Sequence, residues 1–227
     1  MISSMKPAKK PVKKPVKKPV KQQSVAKQRK RFHAWVKSLP EFEVHPGKFR
    51  FWRDSFLIFF IIGLVMHPVD LLWRVATDIP IDTFVWQLLP VVAAPYGFAA
   101  VALLWFVYPL AKSRKIGPFL TYLFGAIVAT ATELACGLVL MAMNGGTNRY
   151  WDYSHLPFNL FGQISLFQSI TFGFAALAGI YFVLPWILTR FNHANNVAIN
   201  SIFAALVASC IASFVLQVIF GFRIILG

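Results

Sequence analysis

Five apolar runs, each long enough to cross the hydrocarbon core of a bilayer, constrain this chain more than any other sequence feature. A membrane-spanning helix needs about 20 largely apolar residues, a length that soluble domains have no reason to repeat. The runs cover residues 51–73, 84–110, 118–143, 162–188 and 197–225. The sequence therefore predicts an all-α, polytopic membrane protein with five transmembrane helices, and it excludes a soluble enzyme or a disulfide-stapled secreted module.

Positive charge is concentrated ahead of the first run. The chain has 23 Lys and Arg against 8 Asp and Glu, and most of the basic residues precede residue 54. Three more, Lys112, Arg114 and Lys115, follow the second run. Because cytoplasmic flanks of membrane helices are rich in Lys and Arg, we expect a cytoplasmic N-terminus, an outer C-terminus and a bacterial inner membrane.

The first 50 residues differ in composition from the membrane domain at 51–227. Lys-Lys-Pro-Val occurs three times in residues 9–20, and a proline every fourth residue opposes a helix. We expect residues 1–31 to be a disordered tail and residues 32–50, where aromatic side chains alternate with charges, to be a juxtamembrane interfacial segment.

The tail has two interpretations, a solvated segment that fixes orientation or a contact with anionic lipid headgroups. The lysines that would make the lipid contact are Lys9, Lys10, Lys13, Lys14, Lys17 and Lys18. No aromatic or arginine pattern for base recognition accompanies them, so nucleic acid is not an expected partner.

Two carboxylates fall in the outer half of their spans. A rise of about 1.5 Å per residue gives this depth to Asp70 in the first span and to Glu133 in the third. Charges in a membrane are usually paired or line a water-filled cavity, so we expect an outward-facing polar site. The alternative is that both acids are structural and pair with Arg74, Arg223 or freed backbone groups. His67 near Asp70 is too weak a signal for a metal site, and no cofactor is predicted.

Other polar and helix-breaking residues are expected in the same layer. The second span carries a predicted hinge at Pro90, Pro95 and Gly97, and the loop after the third span borders the layer from outside. The substrate-contact or gating candidates are Glu133, Asp152, Trp151, Tyr153, Asn159, Gln163, Asp70 and Tyr96.

Small residues recur every fourth position in two spans. The third span has Gly125, Ala129, Glu133 and Gly137, and the fifth has Ser201, Ala205, Ser209, Ser213, Gln217 and Gly221. Such ridges allow close helix contacts, so Glu133 is expected to face a partner helix rather than lipid.

Several motifs resemble those of a known family. They are Ala131-Thr132-Glu133-Leu134, Trp151-Asp152-Tyr153-Ser154, Pro157-Phe158-Asn159, Gly162-Gln163-Ile164 and Pro95-Tyr96-Gly97-Phe98. Over about residues 55–225 the chain resembles the bacterial ABC-transporter type IV (permease-like) integral membrane family.

The resemblance implies a transport component, and it carries over site residues that match the family motifs. These are Glu133, Trp151, Asp152, Tyr153, Pro157, Asn159 and Gly162. Two positions depart from the family pattern. Gln163 stands where the family usually has arginine, and His67-Pro68-Val69-Asp70 replaces a pattern of glycine, tryptophan and glutamate.

Three function classes remain open. The favoured one is a permease subunit that works with a separate ATPase, or as a homo-oligomer, since no G-x-x-x-x-G-K-[ST] phosphate loop occurs. The second is a membrane enzyme for a lipid or lipid-linked substrate, with Glu133, Asp152 or His155 as acid or base. No nucleophile-base pair supports it, so no catalytic residue is assigned. The third is a non-catalytic scaffold.

Deletion of residues 1–30 should leave the five-span domain inserted and folded, because a Lys-Pro tail has too little apolar surface to pack against it. Membrane fractionation and thermal unfolding of the truncated protein measure this. Loss of insertion would instead make the tail part of the topology signal.

Overall fold

The computed structural model describes residues 20–76, 92–143, 145–148 and 150–219. Helix α1 is Val20–Lys37, and α2 is Phe49–Ala76. The remaining helices are α3 Ala94–Lys112, α4 Pro118–Met143, α5 Leu166–His193 and α6 Asn196–Phe214. Two short strands, β1 Asn159–Leu160 and β2 Ile164–Ser165, form an antiparallel hairpin between α4 and α5.

Five helices of the described chain, α2 to α6, are long and apolar enough to cross a membrane. This confirms the predicted fold class, and the third span has the predicted bounds. The predicted residues 84–91 of the second span and 220–225 of the fifth lie outside the described residues.

The fourth span begins later than predicted. Residues 162–165 belong to the hairpin, and α5 starts at Leu166. Ser165 caps this helix, because its side-chain oxygen accepts the backbone N–H of Gln168 at 3.3 Å. Gln163 therefore lies in the hairpin rather than at the start of the span.

The structure also differs from the predicted disorder in residues 20–31. The chain divides into two units after Trp35, and the first unit contains most of α1. Pro19 is the last proline of the repeats, and the Lys, Gln, Ala and Arg residues that follow it are good helix formers. Residues 1–19, with the six lysines assigned to lipid contact, lie outside the described residues.

Residues 38–48, in the second unit, form a non-helical segment that is fixed to the start of α2 and the end of α3. Tyr108 donates its hydroxyl to the Pro40 carbonyl at 2.6 Å, and Lys112 pairs with Glu41. The ring of Phe42 is buried against Phe51. We call residues 38–48 the inner strap, after the cytoplasmic side that the charge pattern predicts for them.

Prolines shape the spans differently from the predicted hinge. Pro95 lies in the first turn of α3, where its missing N–H costs nothing, so it begins the helix rather than bending it. Gly97 packs against the Phe59 ring and carbonyl with no room for a Cβ atom, and Pro90 lies outside the described residues.

The irregular turns of the described residues occur elsewhere, at three π turns, Leu103–Val107 in α3, Gly179–Val183 in α5 and Val215–Ile219 after α6. The first two come just before a proline, Pro109 and Pro185. A π turn shifts the hydrogen-bond register, which accommodates a residue without an N–H. The π turns of α3 and α5 contact each other.

Small residues bring α4 and α5 together, which confirms the ridge predicted for the third span. A Cβ atom at Gly125 would clash with the Ala176 Cβ, and one at Gly173 would clash with the Tyr122 ring. Thr121 and Tyr181 share a buried hydroxyl hydrogen bond of 3.0 Å across the same contact.

The ridge predicted for the fifth span is only partly covered in the structure. Ser213 of α6 is fully buried, but Ser201 and Ala205 are exposed. The side chain of Gln217 and all of Gly221 lie outside the described part of the chain.

Gly125→Ala should destabilise the protein by about 1–3 kcal/mol, because α4 and α5 must separate to admit the methyl group. Thermal unfolding in detergent measures this change. Gly179→Ala is the matched control, since no heavy atom lies within 4 Å of its added Cβ, and it should change stability by less than about 1 kcal/mol. Equal effects of the two substitutions would contradict the close α4–α5 contact.

Candidate functional site

The loop between α4 and α5 is built by its own polar side chains. Asp152 Oδ1 accepts the Ser154 N–H at 2.8 Å, and Asp152 Oδ2 accepts the Ser154 hydroxyl at 2.9 Å. Asn159 donates to the Leu156 carbonyl at 2.8 Å and accepts the Gly162 N–H at 3.2 Å. Asp152 and Asn159, both predicted as site residues, thus shape the loop.

Gly162 closes the hairpin in a conformation that favours glycine. Its φ is +67°, and a Cβ atom there would lie 2.7 Å from Asp152 Oδ1. The Gly162 carbonyl accepts the backbone N–H of Tyr153 at 2.8 Å. These contacts fix the backbone at Tyr153.

Gln163 ties the loop to α4. Its side chain is buried, and its Oε1 accepts from Asn148 Nδ2 at 2.6 Å. The indole N–H of Trp151 donates to the Gln163 carbonyl at 2.9 Å. Gly137 of α4 leaves the space that the Gln163 amide fills. An uncharged amide thus occupies the position where the resemblance implies arginine.

Tyr153 reaches from this loop to Glu133 in the middle of α4. Its hydroxyl donates to Glu133 Oε1 over 3.1 Å. Burial raises the pKa of Tyr153, and the adjacent Glu133 carboxylate raises that pKa further. The phenol therefore keeps its proton throughout the physiological range and remains a donor to Glu133.

The second oxygen of Glu133 has no such partner. Among the described residues, Glu133 Oε2 and Thr130 Oγ1 are the buried side-chain atoms without a hydrogen bond. No ion pair between described residues includes Glu133. A buried polar atom without a partner is costly, and in native proteins it often marks a functional position.

The remaining candidates lie at the edge of this arrangement. Tyr96, in the first turn of α3, is close enough to Tyr153 to raise the pKa of the Tyr153 phenol slightly. Asp70 and His67 are half-buried on α2, and both have interaction partners. The side chain of Arg74 and residue Arg223, the predicted structural partners, lie outside the described part.

The described residues contain no group of three or more His, Cys, Asp or Glu that could hold a metal ion.

The sequence analysis missed a second polar centre at the start of α2. Asp54 is fully buried, and its Oδ1 accepts from Arg53 Nε at 2.8 Å and Nη2 at 2.7 Å. Arg50 donates through Nε to Asp54 Oδ2 at 3.3 Å and through Nη2 to Asn192 Oδ1 of α5. Arg53 Nη1 donates to Asn200 of α6 at 3.0 Å. This inner centre connects the first span with the last two.

A signal for the inner centre was present in the sequence. Arg53 and Asp54 are adjacent charges just inside an apolar run, where lipid-facing ions are unfavourable. Ser55 extends the centre, because it accepts the indole N–H of Trp105 in α3 at 2.8 Å.

Comparison with known proteins identifies the family. The sequence matches the family described as "Putative ABC-transporter type IV" over residues 55–218, which is more than half of the chain. No curated protein and no solved structure matches. The matched region begins at Ser55 and contains Glu133, Tyr153 and the whole α4–α5 loop. The chain therefore belongs to the ABC-transporter type IV family and is a multi-pass membrane protein.

Proposed function

We propose that this chain is the membrane-spanning component of a transporter, and that Glu133 with the loop at 151–162 forms its outward-facing substrate or gating site. Family membership and the five apolar helices support the transport role. One observation supports the site most strongly. The carboxylate of Glu133, inside a membrane helix, accepts a hydrogen bond from the loop residue Tyr153, and its second oxygen has no partner.

The contact between Tyr153 and Glu133 can work as a gate. A membrane carboxylate with one neutral hydrogen bond is poorly compensated, so water or a ligand competes effectively for it. Release of the Tyr153 hydroxyl would open α4 toward the loop side, while the Gln163 contacts keep the loop attached. Transport would then begin with exchange of a tyrosine hydroxyl for a substrate group.

The π turns of α3 and α5 are the proposed point of motion. Leu103–Val107 and Gly179–Val183 contact each other, and π turns often lie at functional sites in helices. A change at their contact would shift α3 against α5 without breaking the close packing at Gly125. We therefore place the moving element here rather than at Pro95 and Gly97.

The energy source is proposed to be a separate ATPase, since the sequence has no phosphate-binding loop. With a cytoplasmic N-terminus, the inner connections at 113–117 and 194–195 are too short to hold such a partner alone. The inner strap is longer and is fixed by Tyr108 and Lys112. We propose it as the docking surface in a bacterial inner membrane, with the lysine repeats of the tail at anionic lipid headgroups.

The enzyme alternative gains no support from the loop. Both oxygens of Asp152 are used by Ser154, so this carboxylate is committed to the backbone turn rather than to proton transfer. No specific observation favours a scaffold over a transporter.

The proposal predicts that the chain, purified in mild detergent from its native membrane, brings an ATPase with it. In that complex, Glu133→Gln should keep the partner but lower ATP hydrolysis in liposomes by at least about tenfold, as expected for loss of a charged group at a working site. Mass spectrometry identifies the partner, and phosphate release measures the hydrolysis.

Thr132→Val is the matched control, because the Thr132 hydroxyl is already bonded to the Val128 carbonyl of its own helix at 2.8 Å. It should leave hydrolysis near the wild-type rate. Wild-type hydrolysis in the Glu133→Gln complex would make Glu133 structural, and purification without any ATPase would contradict the permease role.

A further inference from the structure

We propose that Glu133 and Thr130 together bind a monovalent cation, either an alkali ion or the ammonium group of a substrate. This inference rests on the proposed function, since it names the chemistry of the same site. It begins from the two buried oxygens that lack a hydrogen bond, Glu133 Oε2 and Thr130 Oγ1.

The two oxygens lie one turn apart on the same helix. Residues three positions apart in a helix have Cβ atoms roughly 5–6 Å from each other and project from the same face. The two oxygens are not hydrogen-bonded to each other, because each lacks a partner. One small group between them would therefore satisfy both.

The atoms around this position select for positive charge. Glu133 Oε2 is a carboxylate oxygen, Thr130 offers a hydroxyl, and the Tyr153 oxygen lies 3.1 Å from Glu133 Oε1. The first two are hard oxygen donors of the kind that bind alkali ions and ammonium groups, whereas the Tyr153 hydroxyl is already bonded to Glu133 Oε1. An anion would instead meet an uncompensated carboxylate.

The charge balance favours a monovalent ion over a divalent one. One carboxylate neutralises one positive charge, and a second charge would remain unpaired in a medium of low dielectric constant. Calcium sites usually combine several carboxylates, whereas the described residues contain no cluster of three acidic, His or Cys ligands.

A bridging water is the rival occupant, and it differs from a cation in one respect. Water would complete the hydrogen bonds of Thr130 and Glu133 but bring no positive charge, so Glu133 would then need a proton to be neutral within the span. The inner centre shows how the same fold treats a structural carboxylate, since Asp54 is paired with two arginines. Glu133 has no arginine partner and can therefore bind a cation reversibly.

The test is thermal unfolding of the purified full-length chain, followed by tryptophan fluorescence, in chloride salts of matched ionic strength. The salts are sodium, potassium, methylammonium and, as a bulky reference, N-methylglucamine. A ligand that binds only the folded protein raises Tm progressively with concentration. We expect one of the first three salts to raise Tm above the reference in this way.

Variants assign that effect to the site. Glu133→Gln should abolish the cation-specific shift, and Thr130→Val should raise the half-saturating concentration by about tenfold, as for loss of one bond to a charged group. Thr132→Val, with its hydroxyl already bonded to Val128, should behave as the wild type.

A rise in Tm in sodium or potassium chloride alone would identify an alkali-ion site. A rise in Tm in methylammonium chloride would identify an ammonium substrate. Equal Tm values in all four salts, or a shift that persists in Glu133→Gln, would overturn the proposal in favour of water. If Glu133→Gln does not fold, Thr130→Val alone tests the proposal. An unchanged half-saturating cation concentration in that variant would exclude Thr130 as a ligand and overturn the proposal. Failure here leaves the transporter proposal standing, since that depends on ATP hydrolysis.

Discussion

The free-energy cost of placing a carboxylate inside a membrane governs the arrangement of this protein. Two acids of the described spans have resolved partners, Asp54 near the start of α2 and Glu133 in the middle of α4, and the fold treats them in opposite ways. Asp54 accepts hydrogen bonds from two arginines, which also reach α5 and α6 through Asn192 and Asn200. Glu133 accepts one hydrogen bond from a phenol. The first centre is electrostatically complete and holds helices together, whereas the second is incomplete and suits exchange with a ligand.

Close packing between α4 and α5 gives Glu133 its position. Gly125 and Gly173 let the two helices approach until side chains from one helix touch the other, and Gly137 admits Gln163 of the hairpin. The loop is then anchored to the same helix that carries the carboxylate. Because Asp152 and Asn159 fix the loop backbone, Tyr153 is presented to Glu133 with little freedom. The residues that set the helix packing and the loop backbone thus determine where the contact between Tyr153 and Glu133 lies.

The sequence was sufficient for the spans because hydrocarbon thickness sets a length that apolar runs reveal directly. The helix of the third span has the bounds that the sequence indicates, since Gly117-Pro118 and Gly145-Gly146 mark the chain on both sides of it. The start of the fourth span was wrong because Ile164 and Leu166 continue the apolar pattern through a hairpin of two-residue strands. Such short strands leave no periodic signal.

Two features required the folded structure. The contact between Glu133 and Tyr153 joins residues 20 positions apart, so only the path of the loop shows it. Asp54 was overlooked because Arg53 was counted with the basic residues that precede residue 54, which divided a charged pair that the fold keeps together. Helix α1 was missed for a similar reason, since the lysine-rich composition continues beyond the last proline of the repeats.

The most direct test of an outward-facing site at Glu133 is to determine on which side of the membrane the Tyr153 loop lies. Single cysteines at Ser154 and Ser113, both exposed, can be placed in a chain whose Cys136 and Cys210 are replaced by alanine. A membrane-impermeant maleimide should label position 154 in cells whose inner membrane is intact, and position 113 only after that membrane is opened. The reverse pattern would place the loop in the cytoplasm and contradict an outward-facing site at Glu133.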